Sequence, residues 1–415
     1  MHEPARTVAR AIGVLALCVI AGAVAGVGSW ALFEALDEAT AWRLDHDWLV
    51  WTLPAAALVL GAAYHWFGGE ANRGTSLVIA RTQPPGTGPV DDPVPARMAP
   101  MIFGATWVAQ LTGASVGREG AAIQIAGSLV NTIVRPLRLS ADVVRLVLMA
   151  AIAGSFGGAF GVPVAGAIFA LEVRRTGRLG YESLPAVLAA SVTADFVVEG
   201  LGRATPLESL PVDLDAWVVT RVAVIGLVAG LAARTFIVSL GMVKRLSARV
   251  TWVPGRPVIG ALATLGLVLL VGRDYLGLSL PLVQDALSGD VADWWEPVLK
   301  IVFTVVALGC SIPGGEVTPL FVVGATLGSS LAAPLDLDPR LAAAACLAAV
   351  FGAAANAPIA CMVLAVELFG AGVAVPAACA CVVAYAVSPE RGIYEGQRKG
   401  ATKALRANAA RSPRP

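Results

Sequence analysis

The amino-acid sequence predicts an all-α, polytopic membrane protein built from two structural repeats. Two observations lead there. Apolar residues make up 57% of the chain and charged residues 14%, against about 45–50% and about 25% in ordinary soluble domains. Two glycine-framed glutamates also stand nearly two hundred residues apart, each followed by the same phrase. Glu119 lies in Gly117-Arg118-Glu119-Gly120 and Glu316 in Gly314-Gly315-Glu316, with Gly127 and Gly324 eight residues beyond each. Then come Phe156-Gly157, Pro163 and Glu172 in one copy and Phe351-Gly352, Pro358 and Glu367 in the other, with spacings of seven and nine in both. Self-similarity of this kind places a functional site where the repeats meet.

The apolar stretches justify the elements in order. They run over 7–33, 48–67, 98–114, 146–170, 218–241, 258–271, 298–310 and 371–387. A membrane span needs about 20 apolar residues, which several of these supply. The stretches 120–134 and 318–333 are shorter and interrupted by glycine. They suit helices buried against other helices rather than lipid-facing spans. The first stretch follows a charged start, but it is too long for a signal-peptide core and lacks a convincing cleavage site, so it reads as the first membrane helix. The repeats are placed at 1–205 and 206–390, with a short basic tail at 391–415 and no appended soluble domain.

Charge suggests an orientation. Residues 390–415 hold seven Lys/Arg and two acids, which favours a cytoplasmic tail, a solvated end rather than a nucleic-acid site. Arg174, Arg175 and Arg178 fit the same side. Glu34, Asp37, Glu38, Asp45 and Asp47, opposed only by Arg43, suit a connection on the outer face.

Several chemistries are not supported. The six cysteines sit in apolar stretches with no CxxC pair, and the three histidines do not cluster, so no metal, haem or other cofactor is expected. No Walker-type loop is present, which argues against an ATP-driven pump. Gly113-Ala114-Ser115-Val116-Gly117 matches the GxSxG nucleophile pattern. Small residues are common where membrane helices pack, however, and no histidine follows position 65 to act as base.

The glutamate patches carry a more specific chemistry. Glycines let backbone amides approach a ligand closely, and a helix start offers unpaired N–H donors and partial positive charge to an anion. Gly117-Arg118-Glu119-Gly120 and Gly314-Gly315-Glu316-Val317-Thr318-Pro319 both read as loops feeding short helices. A glutamate at such a start would occupy the cradle as a tethered carboxylate, and protonation would free the place for an ion. An ion pair with Arg118 is the alternative role for Glu119. Acids within membrane segments are costly and usually functional, which favours Glu119 as a working group. Glu172 and Glu367, near helix ends, read as structural or interfacial.

Gly117-Arg118-Glu119-Gly120, with Val162-Pro163-Val164-Ala165-Gly166-Ala167-Ile168-Phe169-Ala170-Leu171-Glu172 downstream, resembles the gating-glutamate region of the CLC anion channels and anion/proton antiporters. The resemblance spans residues 13–399. It implies a homodimer of two independent pores, each subunit an inverted repeat of tilted and partly broken helices, with Glu119 as gate and proton carrier. The stretch from Gly315-Glu316-Val317-Thr318-Pro319 to Gly328 resembles the fluoride/proton antiporter branch. So do Val94-Pro95-Ala96-Arg97-Met98-Ala99-Pro100 and Arg391-Gly392-Ile393-Tyr394. Chloride antiporters often place a second glutamate after the one equivalent to Glu172; Val173 stands there.

On this resemblance the anion site comprises Thr75, Ser76, Gly117, Arg118, Gly120, Gly315, Glu316, Val317, Thr318 and Tyr394. Two departures bear on selectivity. Ala121 stands where fluoride members often have threonine, and a hydroxyl at Thr75 or Ser76 is closer to the chloride pattern. The expected partners are fluoride or chloride, protons, the lipid bilayer of a bacterial inner membrane and a second copy of the chain. Fluoride export coupled to protons is favoured. A chloride/proton antiporter or voltage-gated chloride channel is the alternative, and an organic-anion transporter a more distant one.

Overall fold

The computed structural model describes residues 3–83, 94–174, 180–203 and 209–397, with side chains from residue 8. The tail from 398, Arg175, Arg178 and the boundary at 205 lie outside the described residues. Among the described residues there are sixteen α-helices and no β-strand. The first eight are α1 (Glu3–Asp45), α2 (Leu53–Ala63), α3 (Thr75–Arg81), α4 (Met98–Leu111), α5 (Glu119–Val134), α6 (Ala141–Phe160), α7 (Pro163–Glu172) and α8 (Leu184–Gly200). The second eight are α9 (Ala216–Ser247), α10 (Gly255–Val271), α11 (Leu280–Ser288), α12 (Glu296–Gly309), α13 (Val317–Leu335), α14 (Pro339–Ala355), α15 (Pro358–Phe369) and α16 (Ala374–Val387). Six segments are long and apolar enough to cross a membrane.

Three expectations need correcting. The first helix does not end near residue 33 but runs 43 residues to Asp45. No glycine or proline interrupts 29–45, and Glu34 and Asp37 are ion-paired on the helix rather than solvated in a loop. At 1.5 Å per residue this helix is about 64 Å long, so within a bilayer it must tilt or protrude. The stretch 48–67 is not one span; a 3-10 turn (Asp47–Thr52), α2 and a π turn (Tyr64–Gly68) share it. The stretch 146–170 is likewise cut, because Gly161 takes a left-handed φ of 66° and Pro163 opens α7. The second half repeats that break with Asn356 at φ 55° and Pro358 opening α15. Five helices (α3, α8, α11, α14 and α15) had no apolar stretch assigned to them.

The two halves pack by the same rules. α1 lies on α6 and α8, and α9 on α14 and α16. Gly22 and Gly26 of α1 back onto Ala190 and Ala194 of α8, where a Cβ would come within 2.2 and 2.8 Å of carbonyl oxygens. Gly226 and Gly230 of α9 meet Ala380 and Ala384 of α16 in the same way, at 2.7 Å each from those carbonyls. Small residues four apart allow this close approach in both halves. α14 is buried on every side from Leu341 to Ala355.

Across the junction, α2 meets α10 and α7 meets α15. The carboxylate of Glu172 accepts from the backbone N–H groups of Ile359 (3.3 Å) and Ala360 (2.9 Å), at the start of α15. Glu367 accepts reciprocally from Val164 (2.9 Å) and Ala165 (2.7 Å), at the start of α7. Each acid thus caps the helix of the opposite half, satisfying otherwise unpaired donors. Phe156 and Phe351, the matching aromatics of the two phrases, stack with centroids 6.0 Å apart, and Phe169 stacks on both.

One buried charge had no sequence signal. Lys300 of α12 is 0% exposed. Its ammonium donates to the carbonyls of Tyr275 (3.2 Å) and Gly277 (2.9 Å) and to Ser279 Oγ (2.8 Å). Neutral oxygens satisfy all three donors, which is what makes a buried ammonium tolerable.

Candidate functional site at the junction of the two halves

The loops before α5 and α13 meet back to back. Gly117 N–H donates to Gly315 O at 2.7 Å and Gly315 N–H to Gly117 O at 2.8 Å, an isolated antiparallel bridge. A Cβ at Gly315 would lie 2.9 Å from Gly120 N, and one at Gly117 would lie 3.0 Å from Gly315 O. Glycine is required here because two backbones occupy the space of side chains. The bridge delivers two helix starts to one place: Arg118 precedes α5 and Glu316 precedes α13.

Glu119, the first residue of α5, is 2% exposed. Its carboxylate reaches across to the first turn of α13. Thr318 N–H donates to Oε2 at 3.1 Å, and the Thr318 hydroxyl lies 2.7 Å from Oε1 and 2.5 Å from Oε2. Arg118 N–H adds a bond to Oε2 at 3.3 Å. Held by N–H and O–H donors at a helix start, the carboxylate sits where a small anion would be received. Protonation would weaken these charge-assisted bonds and loosen it.

Arg118 makes its main contact elsewhere. Nη1 lies 3.0 Å from Asp37 Oδ1, whereas Nε stays 3.7 Å from Glu119 Oε1 and has no hydrogen-bond partner among the described residues. The guanidinium stands 4.1 Å over the Phe33 ring. Asp37 in turn pairs with Arg203 at 2.7 Å, and Arg203 with Glu34 at 2.9 Å.

A cavity of about 790 Å³ opens beside the bridge, with Thr75, Ser76, Gln124, Lys244, Glu316 and Tyr394 among its lining residues. The hydroxyls are not equivalent. Thr75 donates to Gly120 O at 3.1 Å and accepts from Gln124 Nε2 at 3.3 Å, so it ties α3 to α5 and its proton is engaged. Ser76 accepts from Glu395 N–H at 3.2 Å, and among the described residues no acceptor takes its own proton. The Tyr394 hydroxyl is buried without a partner among the described residues, its ring packed edge-on against Phe169 at 6.4 Å. A buried hydroxyl without a partner is costly unless a ligand satisfies it.

Of the residues singled out in the sequence, Glu119, Gly117, Gly120, Gly315, Thr318 and Arg118 converge at the bridge. Val317 opens α13 beside them, and Thr75, Ser76, Glu316 and Tyr394 line the cavity. Gln124 and the Asp37–Arg203 pair were missed. A glutamine in the apolar run from Ala121 to Ala126 was the available signal for the first; nothing in the spacing signals the second. Ser115, of the GxSxG match, shares a 3.0 Å hydrogen bond with Thr304.

Known proteins share both the sequence and the fold. The family model described as voltage gated chloride channel matches residues 55–389. The chain is 40% identical over 407 residues to a chloride/fluoride channel protein of Pseudomonas syringae pv. tomato, covering 94% of this chain and 87% of that one. It is 25% identical over 384 residues to an H(+)/Cl(-) exchange transporter of Vibrio parahaemolyticus, covering 86% and 82%. Among solved structures, a CLC-type fluoride/proton antiporter matches with a TM-score of 0.89 at 30% identity, over 94% of this chain and 98% of that one. A slow cyanobacterial Cl-/H+ antiporter matches with a TM-score of 0.78 at 18% identity, over 97% and 99%, a likeness of fold alone.

Proposed function

The chain belongs to the voltage-gated chloride channel (CLC) family, and from that premise we propose that it exports fluoride across a membrane in exchange for protons. The observation that carries this reading is the grip of Thr318 on Glu119. One residue of the second half offers N–H and O–H to a carboxylate of the first, and a fluoride ion would take the same donors once the carboxylate leaves. Glu119 is then both gate and proton carrier: ionised, it fills the site; protonated, it yields. Fluoride is small and strongly hydrated, so its dehydration demands dense donors. Thr318 and the Tyr394 hydroxyl, which has no partner among the described residues, support such a site. Val317 and Glu316 offer backbone amides at the start of α13, with Gly117, Arg118, Gly120 and Gly315 shaping the bridge behind them.

The relatives named for fluoride support the choice of ion. A hydroxyl at Ser76 favours the second reading, a chloride/proton exchanger. The proposal extends to a homodimer in a bacterial inner membrane, with residues 1–205 and 206–390 as the repeats, the tail cytoplasmic and the acidic segment from Glu34 to Asp47 outward.

The test is efflux from liposomes loaded with fluoride or chloride, read with a halide electrode and a pH dye. Wild type is expected to release fluoride with proton uptake. Glu119→Gln keeps the shape but removes the charge, and proton uptake should fall at least about a hundredfold, the loss typical of removing a proton-transfer group. Intact coupling in Glu119→Gln removes Glu119 from the role, and chloride leaving as readily as fluoride rejects the fluoride assignment.

A further inference from the structure

Resting on the reading of Glu119 as an exchangeable gate, we infer that Asp37 is a positioning residue that holds the Arg118 guanidinium away from Glu119. Arg118 follows directly on the bridge and directly precedes the gate, so its cation is the nearest available partner for the carboxylate. Yet Nε stops at 3.7 Å from Oε1 and is buried without a hydrogen bond. The other end of the fork is drawn off by Asp37 at 3.0 Å.

Arg203 competes with Arg118 for the same acid: it holds the second oxygen of Asp37 at 2.7 Å and pairs with Glu34 at 2.9 Å. Phe33 underlies both guanidiniums, at 4.1 and 5.4 Å from its centroid. The chain of charges therefore runs Glu34, Arg203, Asp37, Arg118, Glu119, and each arginine lies between two acids. Without Asp37, the planar fork of Arg118 is free to close on Glu119 in a bidentate pair, the strongest geometry open to it. A carboxylate so held competes better against fluoride for the Thr318 donors. Arg203 acts in the opposite sense, since releasing it leaves both oxygens of Asp37 to Arg118.

The test is calorimetric titration of sodium fluoride into the full chain in detergent. Asp37→Asn should weaken fluoride binding about tenfold to a hundredfold, the range expected when the competing carboxylate acquires one more charge-assisted hydrogen bond. Asp37→Glu should restore it, and Arg203→Gln should leave it unchanged or tighter. In a Glu119→Gln background, Asp37→Asn should have no effect. Equal weakening in both backgrounds, or weakening by Arg203→Gln, would mean that Asp37 only braces α1, and the inference falls. Should Glu119→Gln alone leave fluoride affinity unchanged, the gate reading fails instead.

Discussion

Replacing Gly315 by alanine tests the bridge on which the site is built. The added methyl would sit 2.9 Å from Gly120 N and 3.2 Å from Gly117 O, both backbone atoms with no rotamer to yield. Gly315 is not among the residues with positive φ, so the penalty is steric rather than conformational. Overpacking of this kind costs about 1–3 kcal/mol. Parting the loops also loses two hydrogen bonds, at a net value of about 0.5–1.5 kcal/mol each. Together these come to about 2–6 kcal/mol, and the displacement falls between Glu119 and Thr318. Gly104→Ala, where nothing lies within 4 Å of the new Cβ, is the matched control. The assay is thermal unfolding of both variants in detergent, followed by fluoride efflux from liposomes. Gly315→Ala should melt several degrees lower and transport slowly, with Gly104→Ala unchanged. If the two variants melt and transport alike, the close approach of the loops is not what assembles the site.

Two other outcomes follow from the same geometry. Glu172→Ala and Glu367→Ala should each destabilise by about 1–2 kcal/mol, the scale of a lost helix cap. The double variant, measured by denaturation in a mixed-detergent series, should come near the sum if the two caps act independently. Tyr394→Phe removes a hydroxyl that bonds to nothing among the described residues, so the melting temperature should hold while fluoride affinity falls about tenfold to a hundredfold, the value of one hydrogen bond to a charged ligand. Unchanged affinity would take Tyr394 out of the site.

Much of this was legible in residues that repeat. The glycine frames of Glu119 and Glu316 and the Phe–Pro–Glu phrases showed in advance which segments face each other, because close backbone contact leaves few residue types to choose from. Helix ends were less legible. The hydropathy of 146–170 is continuous, and only Gly161 and Pro163 betray the break. The long α1 hid behind its own acids, which read as a loop until Arg118 and Arg203 are seen to neutralise them. The assignments of Thr75 and Ser76 could not be separated in sequence, since which hydroxyl has a free proton depends on Gly120, Gln124 and Glu395, all distant in the chain. Lys300 was invisible for the same reason: its acceptors lie in the 275–279 loop, and a lysine in an apolar run says nothing of where its oxygens are.

The exchanged caps at Glu172 and Glu367 bear on how the polypeptide matures. The partner of Glu367 at Val164 lies 203 residues earlier in the chain, so the start of α7 emerges from the ribosome long before its carboxylate exists. Until then those amides face either lipid, where unsatisfied N–H groups are severely penalised, or water. The first half therefore completes its own helices only when the second has been translated and docked. A truncated product lacking α15 would leave the amides of Val164 and Ala165 without the carboxylate that accepts from them.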